Sequence, residues 1–358
     1  MIHRVSEIEK HIRFTIEASH SMAHDRATGS TSLHSNSQDS ATRFVIGADI
    51  GASNLRLALA DGTGVILGRW SAATTSSRDA RTVVDLMREG VNTLLRAFSL
   101  PPDSLCAIAA GAPGITNTDD GVVIATSYLM GWRDVPLREL LESEFGVPAS
   151  IDNDVNLAAI GEHRTGVAQG TSDFLFLAIG TGIGAGIVLN GQVHRGSIWT
   201  AGEIGYMLVP GTSEAPVERG KPGALEGIVG GEGIKAQWQS RWRESLTVLP
   251  KDAAPTEIFD QAVVGNPLAQ EVLQLAARTL AYAIYNTSLI LNPPLFVLGG
   301  SVGMHPALGD ATRLLLAAQR ARVQPKLLHS SLGTDAQLIG AVFLALETAS
   351  KRLAFISR

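Results

Sequence analysis

The stretch Gly47-Ala48-Asp49-Ile50-Gly51-Ala52-Ser53-Asn54-Leu55-Arg56 follows one apolar run and leads into a second, which ends at Asp61-Gly62. The arrangement recurs over residues 174–191, where Gly180-Thr181-Gly182-Ile183-Gly184-Ala185-Gly186 separates two apolar runs and Asn190-Gly191 follows the second. Each copy predicts a strand, a glycine-rich bend, a strand and a two-residue hairpin turn, because Asp-Gly and Asn-Gly supply the positive φ such turns need. A bend of nearly bare backbone can bring successive N–H groups close to phosphate oxygens. The repeat therefore predicts a phosphate clamp between twin domains.

Length, charge and cysteine content exclude several classes of protein. With 358 residues the chain is long enough for two domains of roughly 150 residues each. The formal net charge is −5, and no cluster of Lys and Arg points to nucleic acid or to an anionic membrane. The single cysteine, Cys106, lies in an apolar run and is expected to be a buried thiol. We find no membrane-spanning stretch and no signal peptide, so we expect a cytoplasmic protein.

The pattern of apolar residues divides the chain into three parts. They are a flexible tail over residues 1–42, an N-terminal α/β lobe over 43–154 that is joined by a closing helix over 333–353, and a C-terminal α/β lobe over 155–332. Within the tail, apolar residues at helical spacing predict a short helix over 3–18, and the polar stretch that follows predicts a linker.

Strands alternate with helices along both lobes, which predicts mostly parallel sheets. The helices are predicted over 78–98, 137–145, 155–163, 236–247 and 256–291, the strands over 43–70, 106–110, 149–151, 174–179, 187–189 and 295–298, and a loop-rich insertion over 211–233. Parallel sheets bind ligands at the carboxyl ends of their strands. Several polar or glycine positions fall just past predicted strands and could converge on one cleft: Asp49, Asn153, Asp154, residues 180–186 and Gly299-Gly300.

Phosphoryl transfer requires donors around the polyphosphate, a carboxylate near the metal and often a base for the acceptor hydroxyl. The two bends supply donors, and Ser53 and Thr181 place hydroxyl groups at their tips. Asp49 is the candidate carboxylate, because Mg²⁺ prefers a few carboxylates together with waters and phosphate oxygens. The alternative is that Asp49 only caps the turn.

Asp154 is the candidate base. It follows a predicted strand and precedes a predicted helix, where the helix N-terminal field favours an anion, and an aspartate ionised at neutral pH can accept a proton. Asn153 beside it can hydrogen-bond a sugar hydroxyl. The alternative is that Asp154 is a helix N-cap, for which aspartate is among the best residues.

Glu203 and Glu226 are acids among small or apolar neighbours. Isolated buried charges are unfavourable, so such residues usually have partners. The hydroxyl groups of a sugar would serve, and the alternative is a surface or ion-paired glutamate.

Together these motifs resemble the ROK sugar kinases, members of the actin-like and Hsp70-like ATPase fold, from Arg43 to about Leu353. Residues 49–53 are similar to the first phosphate motif, residues 180–186 to the second and residues 298–300 to the adenosine loop. Residues 111–114 with Gly131-Trp132 resemble the sugar-side loops, and residues 152–162 resemble the catalytic signature.

The resemblance implies a two-lobed, ribonuclease H-like α/β fold of duplicated domains around a central cleft. It implies ATP with Mg²⁺ as the phosphoryl donor, Asp49 near the metal and Asp154 as the general base. The implied sugar contacts are Gly114, Asn153, Asp154, Glu203, Tyr206 and Glu226, and the implied nucleotide contacts are Asp49, Gly51, Ser53, Gly180, Thr181, Gly182, Gly184, Gly299 and Gly300.

The chain departs from the family at its usual zinc site, which one His and three Cys form. The corresponding positions here are Tyr206, Val217, Arg219 and Ala224, and these side chains cannot build a tetrahedral zinc site. We therefore expect no zinc. Tyr128 and Ala52 also replace the usual Asn and Gly, so the hexose preference or the activity is expected to differ.

The expected reaction is ATP-dependent phosphorylation of a hexose, at the 6-hydroxyl of glucose or a close relative. One alternative is a sugar-sensing regulator of the same family, although only 42 residues precede Arg43 and Asp154 is retained. Another is a kinase that uses fructose, mannose, allose or an N-acetylhexosamine, or polyphosphate as donor. The expected partners are a sugar and a nucleotide, without nucleic acid or membrane, and a homodimer is compatible with the resemblance.

Overall fold

In a computed structural model the chain is described over residues 13–16, 43–74, 79–126, 129, 131–213, 215, 221–319 and 323–356. It divides into two compact units. The first comprises Met1–Leu157 with Gln337–Arg358, and the second comprises Ala158–Ala336.

The first unit is built on a mixed sheet. Its strands are β1 (Arg13–Ile16), β2 (Phe44–Ile50), β3 (Asn54–Asp61), β4 (Ile66–Ala73), β5 (Leu105–Ala112), β6 (Ile115–Asn117), β7 (Val122–Ala125), β8 (Arg133–Val135) and β9 (Ala149–Asn153). Six of them form one sheet in the order β1-β4-β3-β2-β5-β9, and β6, β7 and β8 form a small second sheet. Strands β2, β5 and β9 are parallel, whereas β2, β3 and β4 form antiparallel hairpins.

The second unit repeats this plan. Its strands are β10 (Phe174–Ile179), β11 (Ile183–Leu189), β12 (Gln192–Val193), β13 (Leu295–Gly299) and β14 (Lys326–His329), in the order β12-β11-β10-β13-β14. An antiparallel hairpin again adjoins a parallel set, here β10, β13 and β14. The duplicated α/β architecture expected from the sequence is thus present.

Helices cover the sheets. They are α1 (Ala80–Ala97), α2 (Leu137–Phe145), α3 (Asp154–Thr165), α4 (Glu226–Val229), α5 (Gly231–Arg241), α6 (Pro255–Val263), α7 (Pro267–Leu291), α8 (Gly300–Gly303), α9 (Pro306–Ala318) and α10 (Ala336–Ile356). In the first unit one hydrophobic core includes Trp70 and Met87, and another joins Val45 to Val342 of α10. Helix α10 approaches β2 so closely that a Cβ at Gly47 would lie 2.6 Å from the Val342 nitrogen. Among the described residues, no helix combines the length and the apolar character needed to cross a bilayer.

The ends of the two hairpins differ from each other. Asn190 and Gly191 have φ values of 52° and 74°, as their sequence predicts. The prediction for Asp61-Gly62 was wrong, because the positive φ of 92° falls on Gly64. The Asp61 carboxylate accepts hydrogen bonds from the N–H groups of Thr63 and Val65, which favours a longer loop.

Several predicted elements need correction. Residues 13–16 of the predicted helix 3–18 instead form β1, which pairs with β4, and the rest of the tail lies outside the described residues. The predicted loop 211–233 contains α4 and the start of α5. The segment 256–291 is two helices, because Pro267 starts a new helix for which the Asn266 side chain is the N-cap.

Candidate active site

Three neighbouring parallel strands place polar residues at one edge of the first sheet. Asp49 on β2 pairs with Gly111 on β5, and Gly111 pairs with Asp152 on β9. Asp154 follows directly as the first residue of α3. The bare Gly111 allows α3 to lie close, since a Cβ there would be 2.6 Å from Leu157 Cδ1. The structure therefore brings Asp49, Asn153 and Asp154 to the same edge.

Asn153 caps helix α3. Its Oδ1 accepts hydrogen bonds from the N–H groups of Val155 at 2.8 Å and Asn156 at 3.3 Å. Its Nδ2 donates to the Gly114 carbonyl at 2.8 Å, so the loop after β5 is attached to the start of the helix. The capping interaction considered for Asp154 is thus made by Asn153. One N–H of the Asn153 amide is still available to a ligand.

Asp152 holds the junction between β9 and α3 in place. Its buried carboxylate accepts hydrogen bonds from the Asn153 N–H at 2.8 Å and from Asn156 Nδ2 at 2.9 Å. Sequence reasoning missed this role, although the spacing of Asp152 and Asn156 was a usable signal. The anchored backbone fixes the position of Asp154.

Asp49 is paired with Arg56, a residue that sequence reasoning did not single out. The Arg56 guanidinium donates to Asp49 Oδ2 from Nε at 2.9 Å and from Nη2 at 2.6 Å, across the β2–β3 pair. The hydrogen bonds of Asp49 in the described structure all use Oδ2. The sequence signal for this pair was the position of Arg56 just after the bend, where a hairpin places it directly opposite Asp49.

The donor set at Asp49 suits magnesium. The described residues contain no group of three or more His, Cys, Asp or Glu side chains placed to hold a metal ion. Mg²⁺ keeps several waters and is usually held by one or two carboxylates plus substrate phosphates, so a single nearly buried carboxylate fits it.

The first bend comprises Gly51, Ala52 and Ser53 and is exposed at its tip. The Gly51 N–H donates to the Asn54 carbonyl at 2.9 Å, which closes the bend. Thr74 supports it, donating from its hydroxyl to the Gly51 carbonyl and from its N–H to the Ser53 carbonyl. Within the described structure, the N–H groups of Ala52 and Ser53 have no protein acceptor. They are available to an anion.

The second bend is shorter than predicted. It comprises only Gly180, Thr181 and Gly182, because Gly184 and Gly186 lie on β11, paired with Ala178 and Phe176. Gly184, expected at the nucleotide, is therefore a strand residue, since its pairing with Ala178 continues the hairpin ladder.

Helix α5 braces the second bend. The N–H groups of Gly231 and Glu232 donate to the carbonyls of Gly180 at 2.8 Å and Thr181 at 3.2 Å. A Cβ at Gly231 would lie 2.7 Å from the Gly180 carbonyl oxygen, whereas a Cβ at Gly180 would meet no atom within 4 Å. The helix thus fixes one side of the bend and the other side is open to a ligand. The glycine run at 230–233, which sequence reasoning left in a loop, was the signal for this contact.

Gly299 and Gly300 lie beside this bend. Gly299 pairs with Ala178 across parallel strands, and Gly300 has a φ of 79°. A side chain at Gly300 would collide with the Ile179 carbonyl. The second unit therefore brings the residues expected at the nucleotide to one edge of its sheet.

Glu203 and Glu226 form a pair of neighbouring carboxylates in the second unit. Glu203 is exposed as a residue, but partial desolvation of its carboxyl group raises its pKa, and the nearby Glu226 carboxylate raises this pKa further. Glu226 Oε2 also accepts a hydrogen bond from the Ile183 N–H at 3.1 Å, directly after the second bend. One carboxylate thus connects the candidate sugar contacts to the candidate phosphate bend.

The positions of the family zinc site hold no zinc ligands. Tyr206 is 54% exposed at the end of a short 3₁₀ helix, Ile204–Tyr206, and Ala224 offers no donor atom. Val217, Arg219 and Tyr128 lie outside the described residues. The residues present do not fit zinc.

Known proteins resemble this chain along most of its length. The sequence pattern of the ROK family matches residues 45–348. A glucokinase of Halalkalibacterium halodurans is 32% identical over 73% of this chain and 81% of its own length. A xylose repressor of Caldicellulosiruptor bescii is 25% identical over 71% of this chain and 65% of the repressor.

The fold agrees with these sequence matches. The crystal structure of a ROK family glucokinase from Streptomyces griseus, in complex with glucose and AMPPNP, superposes with a TM-score of 0.70 and 26% identity. The match covers 85% of this chain and 99% of the glucokinase chain. The chain therefore belongs to the ROK family and has the two-lobed actin-like ATPase fold of its sugar kinases.

Proposed function

We propose that this carbohydrate kinase transfers the terminal phosphoryl group of ATP to the 6-hydroxyl of glucose or of a closely related hexose, with Asp154 as general base. The observation that supports this most strongly is the position of Asp154. It is the first residue of α3, beside a separate N-cap, and it lies on the same sheet edge as Asp49. Both hexoses and ATP occur in the cytoplasm, where we place the reaction.

Asp154 would accept the proton of the sugar hydroxyl as the oxygen attacks phosphorus. The N-terminus of α3 favours the ionised carboxylate that this step needs. Asn153 keeps a free amide N–H for a second hydroxyl, and its bond to the Gly114 carbonyl fixes the loop that borders the sugar. The hydroxyl is thereby oriented before transfer begins.

In the first unit the backbone N–H groups of Ala52 and Ser53 would bind phosphate, and in the second unit those of Thr181 and Gly182 would do so. Asp49 would hold Mg²⁺, and Arg56 fixes the orientation of its carboxylate. When bound, Mg²⁺ neutralises part of the charge on the transferring phosphoryl group.

Glu203 and Glu226 would accept hydrogen bonds from sugar hydroxyls. Glu226 already accepts one bond, from the Ile183 N–H, and its second oxygen is the one available to the sugar. Because the same side chain supports the second bend, sugar binding and phosphate positioning depend on one residue.

A coupled assay of ADP release tests the proposal with glucose, mannose, fructose, allose and N-acetylhexosamines as acceptors and ATP or polyphosphate as donor. Turnover of at least one hexose with ATP is the expected result. Sugar binding by calorimetry without ADP release for any acceptor would instead support the sugar-sensing alternative, and turnover with polyphosphate alone would reject ATP as donor.

Asp154→Asn tests the assigned base. The change keeps an oxygen for the Val155 N–H, so the fold and sugar binding should survive. Loss of the base is expected to lower kcat by about 10² to 10⁴. Asp103→Asn, at an exposed aspartate in the 3₁₀ helix Pro102–Ser104, is the matched control and should retain wild-type kcat. Wild-type kcat in Asp154→Asn would reject the assignment.

A further inference from the structure

Helix α3 carries a second carboxylate, Glu162, about two turns after Asp154. Glu162 is fully buried, and in the described part of the chain its partners are hydroxyl and backbone N–H groups rather than a cationic side chain. Burying a carboxylate is unfavourable unless hydrogen bonds replace the lost hydration, and an apolar side chain of similar size would fill the same space without that penalty. The carboxylate therefore does more than fill the core.

Both oxygens of the Glu162 carboxylate accept hydrogen bonds. Oε2 accepts from the Val167 N–H at 2.9 Å, in the turn that follows α3. Gly166 leaves room for this contact, because a Cβ there would collide with Oε2. Oε1 accepts from the Ser330 hydroxyl and from the Leu332 N–H at 3.1 Å, in the segment that follows β14. One side chain therefore connects the end of α3 to the segment after β14.

Ser330 connects Glu162 to the glycine pair expected at the nucleotide. Ser330 is buried, and its N–H donates to the Leu298 carbonyl at 2.8 Å, which continues the pairing of β14 with β13. Gly299-Gly300 follows Leu298 directly. A glycine pair has no side chain that could hold it, so its position depends on the backbone that precedes it and on the segments beside it.

The Ser330 hydroxyl acts both as donor and as acceptor. It donates its single hydrogen to Glu162 Oε1 and accepts the Gly333 N–H at 2.8 Å. Gly333 begins the 3₁₀ helix Gly333–Asp335, which lies beside α8, the short helix that Gly300 begins. Through one hydroxyl group, the carboxylate therefore holds both backbone segments that border the glycine pair.

We propose that Glu162 is a positioning residue for the nucleotide, acting through Ser330 on the turn at Gly299-Gly300. This inference rests on the proposed kinase function, because it takes that turn as part of the nucleotide site. Glu162 itself is buried behind the turn and does not touch the ligand. Its hydrogen bonds keep the turn in the conformation that binds, so that binding does not have to order it.

Binding of AMPPNP, measured by calorimetry without sugar, tests this role. Ser330→Ala removes the connecting hydroxyl, and Glu162→Gln replaces one acceptor oxygen by a donor. Each change should raise the Kd for AMPPNP about five- to tenfold, the effect of losing one buried hydrogen bond. The KM for ATP should rise by the same factor, whereas kcat at saturating ATP and the KM for the hexose should stay within about twofold of the wild type.

Ser288→Ala is the matched control. Ser288 is also a buried serine of the second unit, but its hydroxyl donates within α7, to the Ile284 carbonyl at 2.7 Å. Its loss should leave the Kd for AMPPNP unchanged, whatever it does to the melting temperature. An equal rise of Kd in Ser288→Ala would overturn the proposed role, and so would a lower melting temperature of Ser330→Ala with an unchanged Kd.

A double variant tests whether Glu162 acts through Ser330. Because both changes break the same connection, Glu162→Gln combined with Ser330→Ala should raise Kd no more than the stronger single variant does. Effects that multiply would overturn the connection. Ser330→Ala leaves the carboxylate in place, so its Kd decides the matter where Glu162→Gln does not fold.

Failure of this role and failure of the kinase proposal give different results. Turnover of a hexose together with an unchanged Kd in Ser330→Ala rejects the role of Glu162 and leaves the kinase proposal intact. If the wild type binds AMPPNP but phosphorylates no hexose, the kinase proposal is rejected, and the Kd values of the variants decide the role of Glu162. A wild type that binds no AMPPNP rejects both.

Discussion

The two glycine bends occupy equivalent places in the duplicated units, yet they are built differently. Ile50 and Ile179 each end the strand before a bend, and the preceding residues are Asp49 in one unit and Ala178 in the other. Asp49 pairs with Arg56, whereas Ala178 pairs with Gly184. At this position of the strand pair, the first unit therefore has two charged residues, whereas the second unit has two uncharged residues.

The hydrogen-bonding groups that hold the two bends in place also differ. Among the described residues, Thr74 is the one that donates to carbonyls of the first bend, from its hydroxyl and from its backbone N–H, and the tip residues of the bend are exposed. The second bend is fixed by the N-terminus of α5 and by Glu226. Under the proposed function, the first bend would hold the metal-bound part of the nucleotide, and the second bend would hold phosphate by rigid backbone geometry. Each half of this comparison can be tested separately.

Gly231→Ala tests the rigid second bend and should have the largest effect of these variants. The added Cβ would lie 2.7 Å from the Gly180 carbonyl oxygen, so the backbone of the bend must move. Displacement of positioning groups by a fraction of an ångström to 1 Å is expected to lower kcat/KM for ATP by about 10². Initial-rate kinetics with varied ATP measure it.

Gly227→Ala is the matched control for this change. A Cβ at Gly227 meets no atom within 4 Å, in a helix that immediately precedes α5. Its kinetics and melting temperature should match the wild type. If Gly231→Ala behaves as Gly227→Ala does, the second bend is not a rigid phosphate cradle.

Arg56→Leu tests the charged pair of the first bend. Asp49 would lose its hydrogen-bond donors in a nearly buried position, which should reduce the free energy of unfolding by about 2 kcal/mol. The apparent affinity for Mg²⁺ should also change, because Arg56 orients the carboxylate. Chemical denaturation and Mg²⁺ titration of the activity measure these effects.

The control for Arg56 is Arg81→Gln. The Arg81 side chain is 55% exposed and shares Glu144 with Arg88, so its loss should change stability by less than about 0.5 kcal/mol. Equal stability of Arg56→Leu and the wild type would show that the pair contributes nothing to stability, and an unaltered Mg²⁺ titration would show that Arg56 does not orient Asp49 for the metal.

Sequence alone predicted the parts of the molecule that depend on local pattern. The helix over 137–145 has the predicted bounds, and the ROK resemblance with its α/β fold is confirmed. Glycine and Asp-Asn-Asp clusters after apolar runs located both bends and the start of α3. These signals are readable because strand ends and turns restrict the residues that can occupy them.

Contacts between distant segments could not be predicted in this way. The hydrogen bond between Gly231 and Gly180 joins positions that are about fifty residues apart in the sequence. Glu162, fully buried on α3, accepts hydrogen bonds from Ser330 Oγ and from the N–H groups of Leu332 and Val167, and no pattern in the sequence pairs these positions. Predicting the Asp49–Arg56 pair would also have required the register of β2 against β3, which depends on the number of residues in the bend.

The carboxylate pair beside the second bend should appear in the pH dependence of stability. Because the pKa of Glu203 is raised above its ordinary value of 4.5, the folded protein binds this proton more tightly than the unfolded chain does. Between pH 4.5 and the raised pKa, stability therefore falls as pH increases. Glu203→Gln should remove this contribution, so that its free energy of unfolding falls less over this window than that of the wild type.

Glu226→Gln tests whether the neighbouring charge contributes to the raised pKa of Glu203. It removes the neighbouring charge while keeping an oxygen for the Ile183 N–H, so the pKa of Glu203 should move back toward its ordinary value. Urea denaturation at a series of pH values compares the three proteins. Parallel curves for the wild type and Glu203→Gln would show that Glu203 does not titrate as proposed.

Zinc removal should have the smallest effect, because backbone packing holds the segment that zinc holds in other family members. A Cβ at Gly223 would collide with the Gly205 carbonyl, and the Gly227 N–H donates to the Gly223 carbonyl at 2.8 Å. Leu225 between them is fully buried. These contacts keep Glu226 in place without a metal, whereas Asp49 in the first unit is proposed to act with one.

Prolonged chelation followed by addition of Mg²⁺ should therefore restore full activity with an unchanged melting temperature, and elemental analysis should find less than stoichiometric zinc. Recovery that requires Zn²⁺ would mean that other residues bind it and that the second unit depends on a metal after all.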